Sequence, residues 1–276
     1  MIELPEAITL GHQINEVLAG KTVTDVFNAT SPYKFAFFNG DPLNYKTLLS
    51  GRKIVSAKGI GIFVDIVLDQ DVSLSISDGV KLNYGNLFST VPYKYQLLLT
   101  FDDDTFLAFS ITMYGGIWAY KGYFDSSYHT KSISRISPMS PEFNREYFEQ
   151  CLGAEKKDLS LKAFLATEQR FPGIGNGVLQ DILYRASLHP KRKCSSLSDA
   201  DKKLLWESIR QTLAEMTADG GRDTETDLFG EKGGYKTLLS KNTYTQPCPK
   251  CKGAIQKESY MGGAIYYCPN CQPLIK

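Results

Sequence analysis

Charge of one sign is what this sequence has least of. Its 31 Lys+Arg residues stand against 30 Asp+Glu, a formal net charge of +1. A general basic excess is the usual footprint of a polyanion binder, because phosphate neutralisation dominates such affinity. That footprint is absent overall. Long apolar runs are missing too, and none approaches the roughly 20 residues that span a membrane. With 42% hydrophobic and 22% charged residues, the composition is that of a globular chain without a membrane segment. The opening MIELPEAITL carries two glutamates and no basic stretch, so it does not read as a secretory leader. His12, His129 and His189 are too scattered for a histidine metal site and read as structural or surface residues. No internal repeat or coiled-coil heptad is found. The expectation is a cytoplasmic monomer.

Cysteine is sparse as well, at 6 residues, but four of them are concentrated near the C-terminus. Cys248-x2-Cys251 and Cys268-x2-Cys271 are separated by a stretch, KGAIQKESYMGGAIYY, that reads as strand, glycine turn, strand. Each C-x-x-C turn aims two thiolates at one point, and a hairpin joins the pairs, as a tetrahedral four-cysteine Zn²⁺ site requires. Disulfides are the alternative, and they fit poorly in a chain without a secretory leader. Cys151 and Cys194 remain as ordinary reduced thiols.

The rest divides by hydrophobic period. A first helix with Ile8, Ile14, Val17 and Leu18 on its apolar face ends near Gly20. Short apolar runs follow, among them KIVSAKGIGIFVDIVLD and YQLLLTFDDDTFLAFSI, the second a hairpin turning at Asp102–Thr105. Residues 1–132 therefore predict a β-sandwich domain with a leading helix. After the linker SISRISPMSPEF, residues 141–235 read as helical. There Ser198-x-x-Asp201 offers a capping box, Leu205, Ile209, Leu213 and Met216 line one face, and Gly220 marks the stop. A glycine-rich connector, GGRDTETDLFGEKGGY, leads to the zinc hairpin at 244–276. The fold class is α+β in three parts. Charge is split along the chain: residues 1–143 carry 11 Lys+Arg against 14 Asp+Glu, and the remainder 20 against 16, so any polyanion contact should lean on the C-terminal half.

Between two predicted helices lies Pro172-Gly173-Ile174-Gly175-Asn176-Gly177. Glycines at a helix start can turn backbone amides toward a phosphate, and Asn176 adds a side-chain donor. Alone, the loop is equally a plain helix–helix turn. Together with the four-cysteine hairpin it resembles the formamidopyrimidine-DNA glycosylase and endonuclease VIII family, and the resemblance spans the whole chain. MIELPEAITL is similar to the family's opening M-P-E-L-P-E, GIGNGVLQDILYRASLHP to its G-I-G-N…G-I-H-P segment, and CPNCQ to the end of its finger. The resemblance implies an N-terminal β-sandwich, a helix–two-turn–helix module, a zinc finger, and damaged, abasic or distorted DNA as the partner.

It also implies a chemistry. An N-terminal amine, usually of a proline, attacks C1′ of a flipped nucleotide and forms a Schiff base, while a glutamate moves protons. Here the second residue is Ile2. Glu3 matches the glutamate, and stands as catalyst or as helix-start carboxylate. Lys58 matches an assisting turn lysine, and is catalytic, phosphate-binding or merely exposed. Asn176, with Gly175 and Gly177, matches a phosphate clamp. The family's H-L-G-M aligns with Ser77-Asp78-Gly79-Val80, its wedge arginine and aromatic with Met113 and Tyr114, and its finger arginine with Gly263. Met113 and Tyr114 could still stack between bases, or form a half-buried strand end. Lys252 and Lys257 could replace part of the lost finger charge. The reading is a zinc-containing DNA-binding protein whose catalysis is lost or impaired. The alternative is an active glycosylase and abasic-site lyase using an unusual N-terminal amine.

Overall fold

A computed structural model describes residues 1–87 and 91–275. The chain runs α1 (Leu4–Leu18), β1 (Val23–Asn28), β2 (Ala36–Phe38), α2 (Tyr45–Leu49), β3 (Ile54–Ile60), β4 (Phe63–Leu68), β5 (Val72–Asn86), β6 (Leu97–Phe101) and β7 (Thr105–Lys121). It continues through α3 (Ser127–Ser134), α4 (Arg145–Gly153), α5 (Leu161–Ala166), α6 (Asn176–Arg185), α7 (Asp199–Ala218), β8 (Gln256–Tyr260) and β9 (Gly263–Tyr267). No helix among the described residues is long and apolar enough to cross a membrane.

The strands pair in the order β1-β6-β7-β5-β4-β3, with β2 parallel on β7. The two edges then meet. Val23 N–H donates to Arg52 O at 2.8 Å and Ile54 N–H to Lys21 O at 2.9 Å, so the sheet closes on itself around one core. α1 plugs that core with Ala7, Leu10, Ile14 and Leu18, spaced three or four residues apart on one face. Its apolar face differs from the sequence reading. Leu4 and Ile8 turn toward the helical core instead, because α1 lies between two cores. Close approach to β3 needs glycine: a Cβ on Gly59 would stand 2.2 Å from the Ala7 carbonyl.

In the helical part Ser198 Oγ accepts from Asp201 N–H, and the Asp201 carboxylate accepts from Ser198 N–H at 3.0 Å, the reciprocal cap the sequence suggested. Leu205, Ile209, Leu213 and Met216 are fully buried against α6 and the Phe143–Phe148–Phe164–Phe171 cluster. Gly221 N–H closes α7 on Met216 O at 2.7 Å, with Gly220 at φ +71°.

The glycine-rich stretch after α7 is more than a connector. Leu228 is completely buried in the sheet core, where burial of such a side chain contributes about 1.5–3 kcal/mol. Tyr84 N–H donates to Leu228 O at 3.1 Å, and Gln13 Nε2 to Asp227 at 2.7 Å. A segment assigned by sequence to the helical domain thus belongs physically to the β core. The boundary expected at 132 falls inside α3, which His129 fastens to β4 through Asp65 at 2.8 Å.

Candidate functional site

The glycine loop before α6 receives a carboxylate from within the chain. Glu3 takes the Gly177 amide at 2.8 Å and the Val178 amide at 2.7 Å, placing its charge on the helix N-terminus. Such placement stabilises by about 0.3–1 kcal/mol, more when buried. The sequence reading aimed the Gly177 amide at a phosphate; that amide is already taken. The glycines serve this internal contact. A Cβ on Gly175 would lie 2.5 Å from Glu3 Oε1, and one on Gly177 would lie 1.4 Å from Arg222 Nη1.

Arg222, unremarked in the sequence, is the centre of the arrangement. Its Nε and Nη2 donate to the two Glu6 oxygens at 2.9 and 2.8 Å, and Nη1 lies 3.3 Å from Glu3 Oε2. All three residues are buried. Burial opposes ionisation of Glu6, but the Arg222 charge and its hydrogen bonds outweigh it and hold Glu6 below the usual carboxylate range. Glu3 goes the other way. Burial, joined by the Glu6 charge, raises it despite Arg222 and the two helix amides. The only sequence signal for Arg222 was a lone cation directly after the Gly220-Gly221 stop.

Residue 2 is equally committed. Ile2 packs into the β core at 4% exposure, and its backbone N–H donates to Asp78 O at 2.7 Å. The Met1 amine pairs with Glu225. Val80 is buried in the same core, so the residue aligned with the family's gap-filling methionine does not project. Met113 and Tyr114 do project. A bulge between Asp78 and Val80, with Asp78 at φ +56° and Met113 at φ +74°, turns them outward. Met113 is 66% and Tyr114 43% exposed. Exposed Lys58 has no ion-pair partner among the described residues and immediately precedes Gly59, where α1 and β3 approach each other.

Asn176 faces the hairpin. Its Nδ2 donates to Ala264 O at 2.9 Å, while its Oδ1 is buried without a hydrogen-bond partner. Gln180, one turn along α6, donates to the same carbonyl at 3.2 Å and accepts from Tyr266 N–H at 3.0 Å. Sequence reasoning missed it, though the i, i+4 spacing from Asn176 was there to read. A Cβ on Gly263 would lie 3.4 Å from both Asn176 Nδ2 and Lys162 Nζ. The cation beside Gly263 is therefore Lys162, whose Nζ donates to Tyr260 O at 2.6 Å. Lys252 and Lys257 are turned elsewhere, to Pro249 O and the Tyr244 ring. Between α6 and the hairpin a groove of about 180 Å³ is lined by Asn176, Gln180, Arg222, Ser240, Lys241 and Tyr266.

In the hairpin β8 and β9 pair antiparallel and bring Cys248, Cys251, Cys268 and Cys271 together, their Sγ atoms all within 4.8 Å of one another. The Cys251–Cys268 and Cys248–Cys271 sulfurs stand 3.4 and 3.8 Å apart. A disulfide needs about 2.05 Å. Tetrahedral thiolates at about 2.3 Å from a metal lie about 3.8 Å from each other. The donor set and spacing thus fit a metal ion. Tyr184 hydroxyl lies 3.2 Å from Cys248 Sγ and accepts from Lys250 N–H at 3.0 Å, fixing the first turn to α6.

Comparison with known proteins agrees with this architecture. Residues 136–227 match the formamidopyrimidine-DNA glycosylase H2TH domain. A formamidopyrimidine-DNA glycosylase of Bacillus cereus is 26% identical over 282 aligned positions, covering 100% of both chains. That of Shouchella clausii is 28% identical over 99% of both. Among solved structures, the MutM (Fpg) protein of Thermus thermophilus superimposes with a TM-score of 0.81 at 23% identity, over 99% of this chain and 100% of that one. Lactococcus lactis Fpg, in complex with DNA containing an abasic site, gives 0.83 at 22% identity over 98% and 99%. Residues 136–227 thus carry the H2TH domain of the formamidopyrimidine-DNA glycosylases, and the whole chain is similar in sequence to those enzymes and shares the fold of their solved structures.

Proposed function

We propose that this protein is a zinc-finger DNA-binding member of its family that grips damaged, abasic or distorted DNA and does not carry out amine-dependent base excision. The observation that carries the reading is the state of residue 2. Removal of an initiator methionine generally needs a small second residue, and here that residue is Ile2 rather than proline; with Met1 retained, the nitrogen that the family's chemistry would present to C1′ stays a peptide N–H, bonded to Asp78 O, on a residue whose side chain is buried. A displacement of about 1 Å from the reacting geometry already costs on the order of a hundredfold. Glu3, the matched proton carrier, has its oxygens occupied by two amides and Arg222. The means of binding remain. Asn176, Lys162 and Lys241 bring donors and positive charge to the α6–hairpin face, Met113 and Tyr114 project from β7, and Lys58 stands exposed near α1. Zn²⁺ on the four thiolates would hold the hairpin against α6, its role being structural.

The test is binding and incision on one set of oligonucleotides. The protein should bind duplex and abasic DNA with an affinity that falls steeply with salt, and leave both strands uncut. Efficient nicking at the abasic site would establish the other reading, an active lyase whose amine comes from a processed N-terminus. No affinity at low salt would reject both.

A further inference from the structure

The half of the chain that carries more acid than base contains a patch of the opposite character. Residues 26–40, 91–101 and 105–124 hold no Asp or Glu. Among them the run Tyr33-Lys34-Phe35-Ala36-Phe37 leads into β2, at the edge of the sheet, and sets rings and a cation side by side. Phe38 packs onto the β core, so its neighbour Phe37 turns outward. Phe35 is 43% and Phe37 49% exposed, and Tyr93 on the adjoining stretch is more exposed still. Single exposed apolar side chains are ordinary, but a cluster of aromatic ones marks a contact surface.

The backbone beneath these rings is held. Ala36 N–H donates to Tyr33 O at 2.9 Å, closing a turn, and Gly115 N–H donates to Phe35 O at 3.1 Å. Gln96 Nε2 donates to Ser31 O at 2.9 Å, and Thr30 Oγ1 to Tyr93 O at 3.0 Å, which ties the stretch bearing Tyr93 to the same loop. Tyr33 and Phe35 meet edge to face, 5.7 Å between centroids. Rings fixed in advance lose little freedom when a ligand arrives. Lys34 Nζ lies 4.8 Å from the centre of the Phe35 ring, and neither Lys34 nor Lys94 has an ion-pair partner among the described residues. The Tyr33 hydroxyl donates to Met113 O at 2.7 Å, so the patch is continuous with the projecting Met113–Tyr114 edge.

We propose that this patch is a stacking platform for single-stranded DNA, engaging the unpaired bases of a strand that leaves a duplex beside Met113 and Tyr114. Every base offers a π-face, so aromatic side chains bind unpaired strands with little regard to sequence. In a duplex those faces are covered by neighbouring bases, and the rings have nothing to stack on. Lys34 and Lys94 offer charge to the phosphates, with no carboxylate in these segments to oppose them. A protein partner could use the rings, but the unopposed cations and the continuity with the Met113–Tyr114 edge favour a polyanion. The inference rests on the DNA-binding reading above and adds a preference for strand form to it.

The test compares a blunt duplex with the same duplex extended by an unpaired tail containing 2-aminopurine, whose fluorescence falls when it stacks. Binding is followed by the anisotropy of a label at the far end. The tailed duplex should bind about tenfold tighter, the low end of what a stacked base contributes, and its 2-aminopurine should be quenched. Phe35→Ser with Phe37→Ser should remove both effects and leave binding of the blunt duplex as it was. Both rings lie outside the β core, so the fold should survive the change. Phe35→Tyr with Phe37→Tyr, which keeps the π-faces, should preserve the gain. No gain from the tail, or a gain that survives the double serine change, would overturn the platform while DNA binding stood. Concentration-dependent dimerisation abolished by the same serine change would give the face to a second copy of the chain and overturn it as well. Failure of both duplexes to bind would overturn the DNA-binding reading and the inference with it.

Discussion

Replacing Arg222 by methionine isolates the charge at the centre of the site while keeping most of its volume. Arg222 is 3% exposed, Glu3 3% and Glu6 6%, so the change leaves two carboxylates out of water with no cation between them. Removing one partner of a buried pair costs about 3–5 kcal/mol. A second route gives a similar figure. Protonating one carboxyl at pH 7.5, about three units above its ordinary value, costs about 4 kcal/mol. The sign of the pH dependence also changes. In the unaltered protein Glu6 is held low, so its contribution is present above its ordinary value and lost as pH falls through the lower folded one. In the variant, burial and the repulsion between the two carboxylates outweigh the backbone amides that remain on them and raise the carboxyls, so stability is greatest in acid and falls as pH rises through the raised value. The gap between the two proteins should therefore narrow by up to about 2.7 kcal/mol between pH 7.5 and 5.5 for one proton taken up. Urea denaturation at the two pH values reads this directly. A gap under about 1 kcal/mol at pH 7.5, or one that does not narrow in acid, would refute the reasoning.

Three further outcomes follow from the geometry. Purified protein should carry one zinc per chain, and chelation should melt the hairpin while the β core persists, since the metal supplies on the order of 10 kcal/mol to such a module; a metal-free hairpin with native hydrogen-exchange protection would count against the site. Gly177→Ala places a methyl 1.4 Å from Arg222 Nη1, so the guanidinium must shift and stability should fall by about 1–3 kcal/mol in thermal melts; an unchanged melting temperature would show that Arg222 is not held as described. Asn176→Ala removes the tie to Ala264 O and should weaken DNA binding several-fold and evenly across sequences, as a backbone contact would; a loss confined to one sequence would point to base readout instead.

What the sequence disclosed was local, and what it hid was distant. The Ser198–Asp201 cap, the β6–β7 turn and the paired C-x-x-C turns are set by residues a few positions apart, and each was legible from spacing alone. Glu3 and Asn176 were picked out by resemblance, but their partners lie elsewhere. Glu3 reaches Gly177 across 174 positions, and Glu6 reaches Arg222 across 216. No periodicity announces such pairs. Leu228 shows the same limit: glycines around it read as a connector, yet tertiary packing draws it into the β core. The glycine loop was read as an open phosphate cradle because its amides were visible in sequence and the carboxylate that fills them was not.

The central claim is that residue 2 provides no attacking amine, and borohydride trapping on abasic duplex tests it most directly, with the mass of the mature N-terminus measured on the same sample. The account predicts no covalent adduct with the unaltered protein, and at most slight trapping after Ile2→Pro, since by the sequence resemblance Met113 and Gly263 align with the family's arginines. Strong trapping by the unaltered protein, abolished when its N-terminal amine is blocked, would contradict it.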